Sequence, residues 1–332
     1  MVNRHLENEI FQAVLEAARD NIAMPVDFII GVDRALQMNL FGKEILFCVE
    51  IKTNVTKALI GQLLILKDKL PYPLLVATNH VTDYIADQLK QNEIEFIDTA
   101  GNAFIRQPPI YIFVKGNSPP DVFKQIQHKY AFRPTGLRVV FAFLCNPDLI
   151  KNTYREIAAT AGVAIGNIGW IIRELKDLGC MIDMGKRGFK LTQKEKLLNR
   201  WVTEYPEKLR PKLLLGRFRG NTDWWKQKNL NYEYAQWGGE VAAAKLTKFL
   251  KPQDITIYTK QTYLNNLLIE NKLKKDINGE VEILNCFWKP ENKDIVHPIL
   301  IYADLMATGN QRNIETAKII FERYVIQYIR EG

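Results

Sequence analysis

The sequence contains no apolar run that approaches the ~20 residues of a membrane-spanning helix. Its first residues, MVNRHLENEIF, carry acids where a secretory signal would need an apolar core. The four cysteines and four histidines are scattered along the chain, which argues against a disulfide framework or a CxxC metal knuckle. We therefore expect a cytoplasmic protein with no membrane partner and no structural zinc site.

The positive charge of the chain is concentrated in one stretch. Residues 186–228 contain thirteen Lys or Arg and four acids, a charge of +9, so the rest of the chain sums to −1 out of a total of +8. A basic block in a nearly neutral chain is typical of a protein that binds a polyanion. The alternative is a well-solvated helical face.

At 332 residues, two or three domains are expected. Alternating strands and helices over the first ~110 residues indicate a small α/β domain. KGNSPPD, residues 115–121, has the composition of a linker. The predicted fold class is multidomain α/β (α+β): a restriction-endonuclease-like α/β domain at 1–117, a winged helix-turn-helix at 130–195 and a C-terminal α/β domain at 200–332.

A winged helix-turn-helix is predicted from three helical segments and a hairpin. The helices are expected at residues 134–146, 153–161 and 167–178, and Thr153 with Glu156 has capping-box spacing before the second. CMIDMGKRGFKLT then reads as two short strands around a tip at residues 185–188. A third helix in this arrangement can enter the major groove of DNA.

The residues expected to contact duplex DNA lie on that third helix, on the hairpin and further along the basic block. Asn167 is the one good reader of base edges among the first residues of the helix, where small side chains prevail. The other candidates are Trp170 and Arg173 on the helix, Lys186, Arg187 and Lys190 at the hairpin for phosphates, and Arg217 and Arg219 for stacking or clamping beside Trp224 and Trp225. The alternatives are a winged helix used for protein interaction and a tryptophan pair buried in a core.

Strand alternation in EILFCVEIK, residues 44–52, indicates a second set of candidate functional residues. Glu50 and Lys52 point to the side opposite the apolar residues, ~6.6 Å apart along the strand. Asp33 lies on the preceding predicted strand, so Asp33 and Glu50 are candidate Mg²⁺ ligands and Lys52 a candidate to orient an attacking water. Glu7 on the first helix is a third candidate ligand, and Gln62 on the next helix a further catalytic candidate.

Asp33, Glu50 and Lys52, in a helix–strand–strand–helix–strand order over roughly residues 4–105, resemble the PD-(D/E)XK nuclease fold. The resemblance implies a Mg²⁺-dependent phosphodiesterase, whereas DNA binding by the winged helix requires no cofactor. Such domains also persist as inactive DNA-binding scaffolds, and fold alone does not establish activity. A structural Glu50–Lys52 pair on the sheet is the alternative.

Four stretches resemble the AbiEi family of type IV toxin–antitoxin antitoxins: VDRALQMNLFGKEILFCVEIK, FIDTAGNAFI, WGGEVAAAKLTKFLKPQDITIYTK and HPILIYADLMATGNQRNIETAKIIFERY. The resemblance implies a DNA-binding repressor of its own operon, encoded beside a nucleotidyltransferase-like toxin that it counters without a stable complex. In the better-known members the winged helix is N-terminal, whereas here a nuclease-like domain precedes it.

Three functions follow, in order of preference. The first is a DNA-binding transcriptional regulator that acts as an antitoxin, the second a nuclease targeted by its winged helix in phage defence, and the third a non-catalytic interaction scaffold. Winged-helix regulators often read two half-sites, so a homodimer is also an expectation.

Overall fold

The computed structural model describes residues 2–21, 28–30, 35–40, 42–118, 130–185, 188–221, 224–226, 228, 230–289 and 292–330. The chain divides into two compact units, Met1–Gln127 and His128–Gly332. Across the described residues, no helix combines the length and hydropathy that a transmembrane segment requires.

The first unit alternates helices and strands, much as the sequence pattern predicts. In chain order its elements are α1 (Val2–Asn21), β1 (Phe28–Ile30), β2 (Ala35–Leu40), β3 (Lys43–Asn54), α2 (Lys57–Lys67), β4 (Leu74–His80), α3 (Asp83–Gln91), β5 (Glu95–Asp98), β6 (Ala103–Gln107) and β7 (Ile110–Val114).

Within the described residues the strands of this unit form one seven-stranded sheet in sequential order. β3, β4 and β5 run parallel at its centre, and the other neighbours are antiparallel. Ile10 and Val14 of α1 pack on one face with Phe47 and Val49. Leu59, Leu63, Ile85 and Leu89, from α2 and α3, pack on the other with Val76. The sheet is therefore covered by helices on both faces, as the hydrophobic central strands require.

The second unit begins with three helices and a hairpin and continues into a larger mixed region. Its elements are α4 (Pro134–Cys145), α5 (Tyr154–Ala161), α6 (Ile168–Asp177), β8 (Met181–Asp183), β9 (Phe189–Leu191), α7 (Lys194–Glu204), α8 (Arg210–Leu213), β10 (Leu214–Arg219), β11 (Ala235–Gly238), α9 (Gly239–Thr247), β12 (Ile255–Thr259), α10 (Leu264–Glu270), β13 (Lys274–Lys275), β14 (Val281–Asn285), α11 (Pro298–Ala307), α12 (Gln311–Ile320) and α13 (Ile326–Ile329).

The helices α4, α5 and α6 and the β8–β9 hairpin occur in the order predicted from the sequence. The capping box at α5 is present: the Glu156 backbone N–H donates to Thr153 Oγ1, and the Thr153 backbone N–H donates to Glu156 Oε2. The Thr153 backbone N–H, and then the Thr153 hydroxyl, donate to the Glu156 carboxyl and lower its pKa. Gly162 ends α5 in the left-handed conformation, at φ +63°. A 3₁₀ turn, Ile165–Asn167, precedes α6, so this α-helix begins one residue later than predicted.

The larger region is held to α4 by α7. The Trp201 ring stacks on Phe141 at 5.2 Å, and its Nε1–H donates to the Leu137 carbonyl at 2.8 Å. The larger region contains a five-stranded sheet in the order β11-β12-β14-β10-β13. Among the described strands of this sheet, β12 and β14 are parallel and the other neighbours are antiparallel. Gly238 is the N-cap of α9, which follows β11 directly.

His297 lies where α11 begins and contacts aromatic side chains from two other helical segments. Its Nδ1 accepts from the Ile299 backbone N–H at 3.3 Å, and its ring packs on Tyr328 at 4.7 Å and Phe141 at 6.2 Å. Burial, reinforced by Lys293, lowers the pKa of His297 from 6.5 to about 4. The folded protein therefore holds this imidazole neutral.

Because the pKa of His297 is depressed on folding, its contribution to stability is present above pH 6.5 and is lost as the pH falls towards 4. We expect the second unit to lose about 3 kcal/mol across this window through His297. All six tryptophans lie in residues 170–288, so tryptophan fluorescence during urea unfolding reports on this unit alone. His297→Asn, which retains a capping acceptor, should flatten the pH dependence. Equal slopes for the variant and the wild type would contradict the assignment.

Candidate nucleic-acid interface

A groove of about 350 Å³ runs along the outer side of α6, between the start of α5 and the hairpin. Its lining includes Gly166, Gly169, Trp170, Arg173, Tyr154 and Phe189. The opposite side of α6 is apolar and buried through Ile168, Ile171, Ile172 and Leu175, as the sequence stripe predicts. The orientation of α6 is thus set by its core side, which leaves the groove side open.

Trp170 is the largest exposed side chain of this groove, at 48% exposure. Its ring stacks on Tyr130 at 5.3 Å, and the Arg173 guanidinium lies 5.0 Å from its centre. Tyr130 is itself fixed, because Glu174 Oε2 accepts its backbone N–H at 2.7 Å and that of Ala131 at 2.9 Å. The structure therefore brings Trp170 and Arg173 together on a supported surface.

The hairpin is joined to α6 through Lys176. Its Nζ lies 3.3 Å from Asp183 Oδ2 and 5.4 Å from the centre of the Phe189 ring. The Gly185 backbone N–H, and then Lys176, lower the pKa of Asp183. Lys190 is exposed on β9, while the predicted phosphate contacts Lys186 and Arg187 lie outside the described residues.

Asn167, the predicted reader of base edges, is half-buried. Its Nδ2 donates to the Ala164 carbonyl at 3.4 Å, one turn back along the chain. The amide is therefore directed at its own backbone in this structure, and the exposed side of the turn before α6 is formed by Ala164, Ile165 and Gly166.

Arg217 and Arg219 lie on β10, where both are engaged with acids. Arg217 donates through Nε to the Gly279 carbonyl at 3.1 Å and lies 3.6 Å from Asp254, and Arg219 pairs with Asp276 at 2.9 Å. Trp224 is half-buried and packs on Trp237 at 4.8 Å. We therefore leave Arg217 and Arg219 out of the interface proposed below.

The cations that the structure describes within the basic block of residues 186–228 lie in different environments. Arg200 lies 4.0 Å from the centre of the Phe132 ring, and burial lowers its pKa. Lys208 pairs with Glu204 at 2.7 Å, and Lys228 lies 3.6 Å from Glu270. Arg210 is half-buried between two acids. Acids that lie outside the block thus pair with four of its cations, Arg210, Arg217, Arg219 and Lys228.

In the first unit, Glu50 and Lys52 share a face of β3 as predicted, with Lys52 Nζ 2.6 Å from Glu50 Oε1. Parallel register places Lys52 beside Thr78 of β4, and Thr78 beside Asp98 of β5. A polar row thus crosses the three central strands near their carboxyl ends, where open α/β sheets commonly bind ligands. Asp98 is buried and accepts hydrogen bonds from Val81, Ala100 and Asn102, yet burial raises the pKa of its carboxyl.

The other predicted nuclease residues are separated or lie beyond the described residues. Glu7 is on α1, which packs on the face opposite Glu50, so we do not place these two carboxylates in one site. Gln62 lies on α2, which covers the Glu50 face, and is half-buried. Asp33 lies outside the described residues, and among those described no group of three or more His, Cys, Asp and Glu side chains is arranged to hold a metal ion.

A buried ionic cluster in the second unit was not predicted from the sequence. Arg210 donates through Nε to Asp304 Oδ1 at 3.1 Å and through Nη1 to Glu282 Oε1 at 3.1 Å. Asp304 also accepts from the Tyr258 hydroxyl at 2.9 Å and from the Tyr205 hydroxyl at 3.3 Å. The cluster joins α8, β12, β14 and α11. Asp304 lies within α11 and is buried.

Part of the second unit is similar to a known protein family. Residues 190–326 match the family described as transcriptional regulator, AbiEi antitoxin, type IV TA system. No curated protein and no solved structure matched the chain. The family match agrees with the predicted resemblance over this stretch, and residues 190–326 are called the AbiEi-type region below for their similarity to that family. It contains every member of the ionic cluster and does not reach the nuclease-like residues before it.

Removal of Arg210 tests the structural role of the cluster. Arg210→Met leaves the carboxylates of Asp304 and Glu282 without their shared cation, so we expect a loss of about 3–5 kcal/mol in unfolding free energy. Urea unfolding followed by tryptophan fluorescence measures it. Lys212→Met, at an exposed position two residues away, is the matched control and should change stability by less than about 0.5 kcal/mol. Equal stability of the two variants would refute this role.

Proposed function

We propose that the chain is a DNA-binding transcriptional regulator of the antitoxin type. The observation that carries the proposal is the exposed groove of α6, which Arg173 lines and which reaches the hairpin at Phe189, within the same compact unit as the AbiEi-type region. Three helices followed by a hairpin are typical of a winged helix-turn-helix, whose third helix docks in the major groove of duplex DNA.

In this proposal α6 is the recognition helix and the hairpin is the wing. Arg173 and Lys190, with Lys186 and Arg187 at the hairpin tip, contact phosphates and provide most of the affinity. Trp170, supported by Tyr130, contacts the duplex beside Arg173. The Lys176–Asp183 pair keeps the wing beside the helix. No cofactor has a role in this binding.

The family description supports an antitoxin role beside the DNA-binding one. We propose a nucleotidyltransferase-like toxin as the functional counterpart, opposed without a stable complex, and a homodimer that reads two half-sites. The toxin counterpart extends the AbiEi resemblance of residues 190–326, and the homodimer extends the proposed winged helix.

DNA binding is tested with a labelled duplex from upstream of the chain's own gene, titrated with the full-length protein over a salt series. We expect binding that weakens with salt, and Arg173→Ala with Lys190→Ala should reduce the slope of log Kd against log salt by about 1 for each phosphate that the variant no longer neutralises. Lys275→Ala removes an exposed cation from β13 and serves as the control. Absence of binding at about 50 mM salt would refute the proposal and favour an interaction scaffold.

A metal-dependent nuclease is the second candidate, favoured by the close Glu50–Lys52 pair beside Thr78 and Asp98. The described residues do not complete a Mg²⁺ site, because Glu50 is one carboxylate and Mg²⁺ sites in proteins use further oxygen ligands. We therefore derive no catalytic step, and the candidate depends on Asp33 as a second ligand. Lys52 would hold Glu50 in place.

This candidate predicts nicking of supercoiled plasmid in the presence of Mg²⁺ or Mn²⁺. Gel electrophoresis should show the nicking in the wild type and its loss in Lys52→Ala, while Lys69→Ala, at an exposed position after α2, should behave as the wild type. Identical plasmid profiles for wild type and Lys52→Ala would exclude catalysis at this site.

A further inference from the structure

The turn before α6 presents an apolar surface where a DNA reader usually carries hydrogen-bonding side chains. Ile165 is 51% exposed and lies between the exposed residues Ala164 and Gly166. The amide of Asn167 donates to the Ala164 carbonyl. The leading end of the helix thus offers a methyl-rich contact and little hydrogen-bonding capacity.

Gly166 is not required by the local fold. A Cβ built at this position meets no atom within 4 Å, and its backbone is outside the left-handed region that favours glycine. Because Gly166 has no side chain, nothing projects from the surface at this position, and the packing of the chain does not require the glycine. The absence of a side chain beside Ile165 allows the backbone of a partner molecule, or the edge of a base, to approach closely.

The cations around this surface decide what that partner is. Arg173 and Lys176 line the groove and Lys190 is exposed on the adjoining strand. Apolar residues at one end of a groove that also holds cations fit a polyanion that carries apolar groups at its edge. In the major groove of DNA the C5-methyl of thymine is such a group, bordered by phosphates on both sides.

We propose that Ile165 reads duplex DNA through the C5-methyl groups of thymine, with Gly166 admitting the base edge. This inference rests on the proposed DNA-binding function and names the feature of the duplex that is read. An A·T-rich duplex is then bound more tightly than a G·C-rich duplex, because thymine carries the methyl groups that Ile165 contacts.

The test uses the full-length protein and fluorescence anisotropy at one fixed salt concentration. One 30-bp duplex of mixed A·T sequence with G·C ends is compared with the same duplex in which uracil replaces every thymine, which removes only the methyl groups. We expect the uracil duplex to bind about fourfold more weakly for each methyl group that Ile165 would otherwise bury. A G·C duplex should bind more tightly when its cytosines are 5-methylated.

Two variants and one control variant separate the recognition of thymine methyl groups from the overall affinity for DNA. Ile165→Ser should bind the thymine and uracil duplexes equally, whereas Ile269→Ser, at an exposed position on α10, should keep the wild-type ratio. Gly166→Leu should weaken binding to both duplexes while urea unfolding remains as in the wild type.

The outcomes are distinguishable. Equal binding of thymine and uracil duplexes by the wild type would overturn the inference and leave DNA binding intact, whereas no binding to any duplex would overturn both. Loss of a dimer in Ile165→Ser by sedimentation equilibrium, with the thymine-to-uracil ratio unchanged, would assign the surface to a second copy of the chain and also overturn the inference.

Discussion

The packing of Trp201 is the contact on which the second unit depends. Its ring lies between Phe141 and Tyr205, and its indole N–H donates to the Leu137 carbonyl. A fully buried tryptophan contributes a large apolar area and needs a partner for its N–H, and α4 provides both. Through this contact the helix–hairpin segment and the AbiEi-type region share one core, so α6 is held by the body of the unit.

Elements set by local patterns were predictable from the sequence. Thr153 and Glu156 form the expected capping box, the apolar stripe of α6 is buried, and the alternation of β3 places Glu50 beside Lys52. Each of these depends on residues within one helical turn or one strand repeat, where spacing determines which face a side chain occupies. The helix–hairpin order was recognisable for the same reason.

What could not be predicted depends on partners distant in sequence. Arg210 meets Glu282, 72 residues away, and Asp304, 94 residues away. The basic block therefore looked like a polyanion footprint, although acids outside it pair with four of its cations. Asn167 is a local case, since residue type did not predict that its Nδ2 donates to the Ala164 carbonyl.

The family match begins at Lys190, in the middle of β9, whereas the compact unit begins at His128. Cutting the chain at that boundary would divide the strand that pairs with β8 and would leave the Met181–Asp183 edge without its complement. The segment that matches the family is thus shorter than the segment that folds together.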